Sequence, residues 1–499
     1  MTADTITWKI EIDWKADGTY TDESARMLDL SIRRGRETGL DGDGYAMVDP
    51  GAFSLLLDNW DQRYNPFNTG GDLYGYIKPH RLIRLRATYN GVTYNVITGW
   101  VRDIRPQENR SLVRITGYDG IDWLKAQNVP QLDLETDYAV TDAIVSLLTA
   151  AGWPFVDTSG WILGTSQLGI DTYLGSSVIE DADDEIPYWW GDPEQSIWDA
   201  ICDLGQAFAG VPYVAADGTF SYKARYGATS AAVDLSQAEI LRDIDLLQPW
   251  DELRNDIRIT GWPRQATAAN TELWKLNYIP LIDAGDTLTI WAEHNYEGEP
   301  CPASSITTPA STTDYTANTA ADGGGTDKTA QIGITETVYA TRTKLEITNN
   351  DAAGVYLTLM KLRGTGLYAY SPVTAQESDS SSISEYGKQT FRLGSIWLQK
   401  TDDIKNHAQF AEMLYADPRK ILFVRIIERP DYQLEPDLFQ TLDMSIPHLE
   451  IDDTYSVTLI DHLWQAGRGL VTTMRLEPAV ASGWVLGVGE LGSTTILGW

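Results

Sequence analysis

The residue types that do chemistry are few and scattered in this chain. Its five histidines, His80, His294, His407, His448 and His462, make no zinc-like spacing with another ligand. His407 lies beside the apolar face of a predicted helix, where a satisfied core or boundary histidine is expected. Cys202 and Cys301 form neither a metal spacing nor a disulfide framework. No G-x-S-x-G elbow, Walker loop or H-E-x-x-H helix is present. Two acidic clusters, "DGDG" at 41–44 and "EDADDE" at 180–185, offer oxygens to a hard cation, but neither follows the EF-hand pattern, and solvated turns explain both. A glycosidase needs two carboxylates placed across a bond. Among 71 acidic residues nothing singles out such a pair. Tyr188, Trp189 and Trp190 in "PYWWGD" suit either a sugar-stacking platform or packing between domains. The expectation is a non-enzyme with no cofactor and no metal.

One repeated phrase does stand out. "GWILGTSQLGIDTYLGSS" from Gly160 returns as "GWVLGVGELGSTTILGW" over 483–499. Glycine lets the backbone bend, and each leucine can fill a shallow pocket. Both copies are expected to be docking strips, through Trp161, Leu163 and Leu168 in the first and Trp484, Leu486, Leu491, Leu497 and Trp499 in the second. Shared Gly/Leu turn composition is the alternative.

The elements that must carry these residues are mostly strands. Glycine is common (42), and 18 Trp and 25 Tyr outweigh 9 Phe, a bias towards turns and aromatic strands. Ile6, Trp8, Ile10, Ile12 and Trp14 alternate with polar residues as one strand. Asn90-Gly91 between two alternating runs signals a hairpin. Residues 1–125 are expected to form an antiparallel barrel. Residues 126–235 read as an α/β domain: a helix over "VTDAIVSLLTAAGWP" capped by Thr141 and ended by Gly152, a second with Asp192 as N-cap and Pro193 first inside, then a hairpin turning at Asp217-Gly218. Strands returning to the barrel are expected over 236–265. The Ser/Thr/Gly-rich segment 266–375 reads as an inserted β-sandwich. Residues 376–480 are expected to form a second barrel with one helix, and 481–499 a docking tail. Tyr94, Val96 and Arg114 match Tyr455, Val457 and Arg475 at equal spacing, hinting at two related units. The fold class is therefore mainly β with α/β parts.

The net charge of -33 would repel nucleic acid, so stable DNA binding is disfavoured, while a surface that DNA slides past fits the sign. The opening "MTADTITWKIEIDW" lacks the basic start and apolar run of a signal peptide, and no run of about 18 apolar residues exists to cross a bilayer. Synthesis in a cytoplasm and no stable membrane insertion are expected.

The run from "RRGRETGLDGDG" to "YNVITGWVRDIRP" resembles the N-terminal region of phage tail-tip hub proteins, often called minor tail proteins. Arg36, Gly39, Leu57, Asn59, Asp61, Arg63, Tyr64, Pro66, Thr98, Gly99 and Val101 carry the likeness. "WDAICDLGQAFAGVPYVAADGTFSYKAR" and the closing "DDTYSVTLIDHLWQAGRGLVTTMRLEP" extend it over most of the chain outside 266–375. The resemblance implies a non-catalytic trimeric hub with two tube-type barrels per subunit, giving a pseudo-sixfold ring on a hexameric tail tube. It implies a virion tail-tip location, and as neighbours a distal tail or tail-tube protein, a tape measure protein and a fibre or receptor-binding protein, with DNA only in transit. A carbohydrate-binding tail-tip adhesin and a tail-associated glycan hydrolase are the alternatives. Deleting 483–499 is expected to leave the thermal unfolding of the isolated subunit nearly unchanged but to impair tail-tip assembly. A large loss of subunit stability with assembly intact would contradict the docking strip.

Overall fold

The computed structural model describes residues 6–42, 44–107, 111–153, 155–157, 160–162, 179–180, 184–225, 231–236 and 242–479. Of the first Leu-Gly phrase, only the strand Gly160–Ile162 falls within them, and Trp161 pairs there with Val156. Leu163, Leu168, Trp484, Leu486, Leu491, Leu497 and Trp499 lie outside the described residues.

Six strands build the first unit: β1 Thr7–Ile12, β2 Met27–Gly35, β3 Asp49–Asp58, β4 Leu82–Tyr89, β5 Val92–Gln107 and β6 Leu112–Tyr118. Asn90 and Gly91, both at positive φ, make the tight β4–β5 turn that matches the twist of paired strands. The hydrogen-bonded order is β2-β3-β6-β5-β4-β1. Alternation sends Trp8, Ile10 and Ile12 of β1 and Leu30 and Ile32 of β2 into one shared core, so the two end strands of this set face the same interior.

The second unit uses β11 Ala231–Ser236, β12 Arg242–Leu247, β20 Ile421–Ile427, β21 Thr441–Ile446, β22 Ile451–Gln465 and β23 Gly469–Pro478. Its order is β12-β20-β23-β22-β21-β11. Ranked by position in the chain, both units follow the same order, 2-3-6-5-4-1. They differ in one pairing: β1 meets β4 antiparallel, whereas β11 meets β21 parallel. Tyr94 and Arg114 sit on the fifth and sixth strands of one unit, and Tyr455 and Arg475 on the fifth and sixth of the other. β2 then pairs antiparallel with the second half of β22, which fuses both units and the short strand Thr21–Asp22 into one 13-stranded sheet. Among the described residues this sheet stays open, with no pairing that closes either unit into a barrel.

Between the units lies the α/β part, with α1 Gly120–Lys125, β7 Glu135–Ala139, α2 Val140–Ala151, β8 Glu185–Trp189, α3 Ile197–Phe208, β9 Val211–Val214 and β10 Phe220–Lys223. Two expected caps are corrected. Thr141 lies inside α2, which starts after Ala139 without a side-chain cap, although Gly152 ends it in the left-handed region as expected. α3 starts at Ile197, because the Ser196 hydroxyl accepts from the Asp199 amide, while Asp192 closes a turn before the helix. Ser196-x-x-Asp199 thus offered a second, better-placed cap signal.

Of the strands expected to return over 236–265, β12 joins the large sheet, but β13 Asp256–Gly261 does not. It pairs with β18 Val373–Ser378 and β19 Thr390–Ser395 beneath α4 Thr401–Tyr415. Residues 264–369 between β13 and β18 hold β14 Thr287–Glu293, β15 Ile332–Val338 and β16 Arg342–Asn349 in one sheet and β17 Val355–Ala369 in another. Ile290, Leu345 and Ile347 of the first meet Leu357, Met360 and Leu362 of the second in one core. Besides α4, the region after 376 carries the short helices Ser380–Tyr386 and Pro430–Leu434. Among the described residues no helix is long and apolar enough to cross a membrane.

Gly35 at the end of β2 has φ 112°, and a Cβ there would run into the Thr458–Leu459 main chain of β22. Gly35→Ala is expected to destabilise the chain by about 2–3 kcal/mol, combining backbone strain with a forced separation of the two units. Gly18→Ala, at positive φ in open space, is expected to cost about 1 kcal/mol. Equal denaturation midpoints for the two variants would show that this close approach does not matter.

Candidate functional site

Arg36 and Gly39, two of the residues singled out in the sequence, lie at the seam where the two units meet. Arg36 directly follows β2 and is 8% exposed. Its guanidinium donates to the Ala46 carbonyl at 2.9 Å and reaches Glu477 of β23 at 3.3 Å. Arg419, between α4 and β20, meets the same Glu477 oxygen at 3.0 Å. Arg475 of β23 is bonded to Glu477 and reaches Glu252 at 2.9 Å. The Gly39 amide donates to Glu252 at 2.8 Å, and a side chain at 39 would crowd that carboxylate. Three buried guanidiniums therefore surround two buried carboxylates. Burial alone would raise the Glu477 carboxyl, but the charges of Arg36, Arg419 and Arg475 outweigh it and hold the group well below the usual carboxylate range. Beside this network Arg34 pairs with Asp437 at 2.6 Å, and Asp437 also accepts from the Ala216 amide, tying the β9–β10 turn to the seam.

Tyr45 reaches from the loop after β2 into the helical layer. Its hydroxyl lies 2.8 Å from His407 Nε2, and the rings stack. His407 is a buried core residue, and burial depresses its pKa to about 3. His462 (about 3) and His294 (about 4) are depressed by burial in the same way. These three histidines bond to neighbouring tyrosine or threonine hydroxyls.

A second group of the residues singled out in the sequence builds an excursion over 59–81, between β3 and β4. Asn59 accepts from the Tyr64 amide, and Asp61 pairs with Arg26. Arg63 and the Tyr64 hydroxyl both reach buried Glu23, at 2.9 and 2.6 Å, and Trp14 donates to the same carboxylate. Turns spaced three residues apart, at Gln62, Asn65, Asn68, Gly71 and Tyr74, stiffen the excursion. It presents Trp60 at 72% and Phe67 at 86% exposure. Hydrophobicity alone does not separate these rings from core aromatics, so their exposure was not legible before the fold.

The other candidates resolve into structural roles. Trp189 and Trp190 are buried; Trp189 stacks on Tyr138, and Trp190 packs on Trp397 under Arg264. Buried rings offer no sugar platform, so the packing alternative holds. In the 180–185 cluster, Glu180 pairs with Lys223 and Asp184 with Arg225. In the 41–44 cluster, Leu40–Asp41 and Gly44–Tyr45 form a small bridged turn. Among the described residues no three His, Cys, Asp or Glu side chains gather as metal ligands.

No family model and no curated protein matches the chain. Solved structures similar to it include the 43 kDa tail protein of prophage MuSo2 from Shewanella oneidensis, at 12% identity and TM-score 0.46, covering 94% of this chain and 97% of that one. A tail protein from Neisseria meningitidis MC58 is 10% identical with TM-score 0.46, covering 95% and 96%. An Escherichia coli component of the type VI secretion system, described as similar to T4 tail proteins gp27 and gp5, is 7% identical with TM-score 0.35, covering 92% and 74%.

Glu477→Gln is expected to destabilise the fold by about 3–5 kcal/mol, because it leaves buried guanidiniums without their carboxylate. The stability from ionised Glu477 is full above its ordinary value of 4.5 and is lost as pH falls below it. The variant's unfolding free energy should therefore fall less steeply than wild type below that pH, and parallel slopes would contradict the pairing. Neutral His407 acts in a higher window. Its contribution is full above the ordinary value of 6.5 and is lost as pH falls towards about 3. Between pH 7 and pH 5 it should cost wild type about 2 kcal/mol, a loss that His407→Gln should remove. An unchanged slope in that variant would contradict a buried neutral imidazole.

Proposed function

We propose that the chain is the structural hub of a tailed-virus tail tip, a homotrimer whose six sheet units form a ring that closes the tail tube. The carrying observation is the duplicated strand order 2-3-6-5-4-1, fused through β2 and β22 into one sheet. Three copies of a two-unit chain offer six similar units, the number needed to sit on a hexameric tube. The sheet also has unpaired edges to offer: β12 and β11 bond on one side only among the described residues, and Leu246, Leu247 and Trp250 are exposed on or beside β12. A net charge of -33 suits a lumen that must not retain DNA. The resemblance of Arg36, Gly39, Asn59, Asp61, Arg63 and Tyr64 to hub sequences points the same way, and those residues hold the seam and the 59–81 excursion.

In this reading the ring meets a tail-tube or distal tail protein on one side and a fibre or receptor-binding protein on the other, with the tape measure protein at the lumen. The exposed rings of Trp60 and Phe67 supply one contact, and the Leu-Gly strips supply others. Catalysis forms no part of the role. Native mass spectrometry and mass photometry of the full chain are expected to give three times the 55.5 kDa subunit mass. A subunit that stays monomeric both alone and with its tail-tube partner, and is retained on glycans, would instead support an adhesin.

A further inference from the structure

One cavity, lined by residues of the seam, is strongly one-sided in charge. Its volume is about 100 Å³, and its wall carries Arg36, Lys223, Arg225 and Arg419 against a single carboxylate, Glu477. Two of these cations are matched from outside the wall: Lys223 by Glu180 at 2.6 Å and Arg225 by Asp184 at 2.7 Å. Arg36 and Arg419 are matched poorly. Both lean on one oxygen of Glu477, at 3.3 and 3.0 Å, because Arg475 takes the other oxygen. One oxygen of Glu252 is taken by Arg475 and the Gly39 amide; the other lies 3.9 Å from Arg419, beyond hydrogen-bond reach, and accepts no hydrogen bond among the described residues. The Nε groups of Arg36 and Arg419 are buried and have no acceptor among the described residues. Among the described residues, three guanidiniums against two carboxylates leave one positive charge uncompensated at this buried place, an arrangement that costs free energy unless an anion completes it.

We infer that the cavity binds one tetrahedral oxyanion, phosphate or sulfate, held between the guanidiniums of Arg36 and Arg419. A guanidinium presents paired N–H donors that match such oxygens, and charge-assisted bonds of this kind are strong. A single water needs only about 10–15 Å³ by the same measure, so the space takes a group of several heavy atoms but not a nucleotide. Ser456 also lines it and supplies a hydroxyl, whereas the Thr458 hydroxyl is already bonded to Arg475. The bound ion would link the chain after β2 to the α4–β20 connection and, through Ser456, to β22, fastening the two sheet units together. This inference stands on the cavity alone and does not depend on the tail-tip reading.

The test uses the full chain in chloride buffer at constant ionic strength. Equilibrium dialysis with labelled inorganic phosphate, and separately with labelled sulfate, is expected to show saturable uptake of one ion per chain. Thermal unfolding should rise by several degrees over the same concentration range. Ser456→Asp places a carboxylate in the cavity wall and should weaken uptake at least tenfold while the chain stays folded. Arg36→Gln should weaken it similarly, and surface Arg105→Gln should leave it unchanged. Should Arg36→Gln fail to fold, Ser456→Asp decides. Uptake of both ions, or of one alone, supports the site if Ser456→Asp removes it. No saturable uptake by wild type means that the cavity holds only water and overturns the inference. Uptake that survives Ser456→Asp places the ion elsewhere and overturns it too.

Discussion

The arrangement of this protein depends on five buried charges at one seam. Arg36, Arg419 and Arg475 surround Glu252 and Glu477, and these groups come from β2's end, the approach to β13, the α4–β20 connection and β23. Taking such charges from water is expensive, and only mutual pairing offsets the cost. The network is therefore intolerant of displacement: moving one segment strands a charge. Apolar packing is more forgiving of small slides. That is why ion pairing, added to the β2–β22 main-chain pairing, holds one sheet unit in a defined place on the other.

In the proposed trimer, that fixed relation would give the duplication its use. Two units with the same strand order need a defined mutual orientation if three chains are to present six similar positions. The β2–β22 pairing supplies the main-chain link, and the Arg34–Asp437 pair adds the β9–β10 turn. The elements that break the repeat, the α/β part and residues 264–369, enter at connections between strands. The sheet order therefore survives their insertion.

Local pattern was legible in the sequence, and long-range partnership was not. The alternation from Trp8 to Trp14, the Asn90-Gly91 turn and the apolar stripe of α3 were readable because each is set by neighbours a few residues apart. The duplicated sheet left only a trace, Tyr94/Val96/Arg114 against Tyr455/Val457/Arg475, because strand order resides in pairing rather than in side-chain identity. Arg36 and Glu477 are 441 residues apart, and nothing in either neighbourhood announces the other. Asp192-Pro193 is a good local cap signal, yet Ser196 caps α3 because its hydroxyl accepts from the Asp199 amide in the folded helix. Trp189 and Trp60 look alike in sequence, yet one is buried and the other is 72% exposed; only the tertiary fold separates them.

The central claim is that one chain supplies two equivalent positions in a ring. Electron cryomicroscopy of the assembled particle tests it most directly. The account predicts a threefold particle whose innermost layer shows six similar sheet units around an open channel, two from each chain. A particle without a threefold axis, or a threefold ring in which only one of the two units lines the channel, would contradict it.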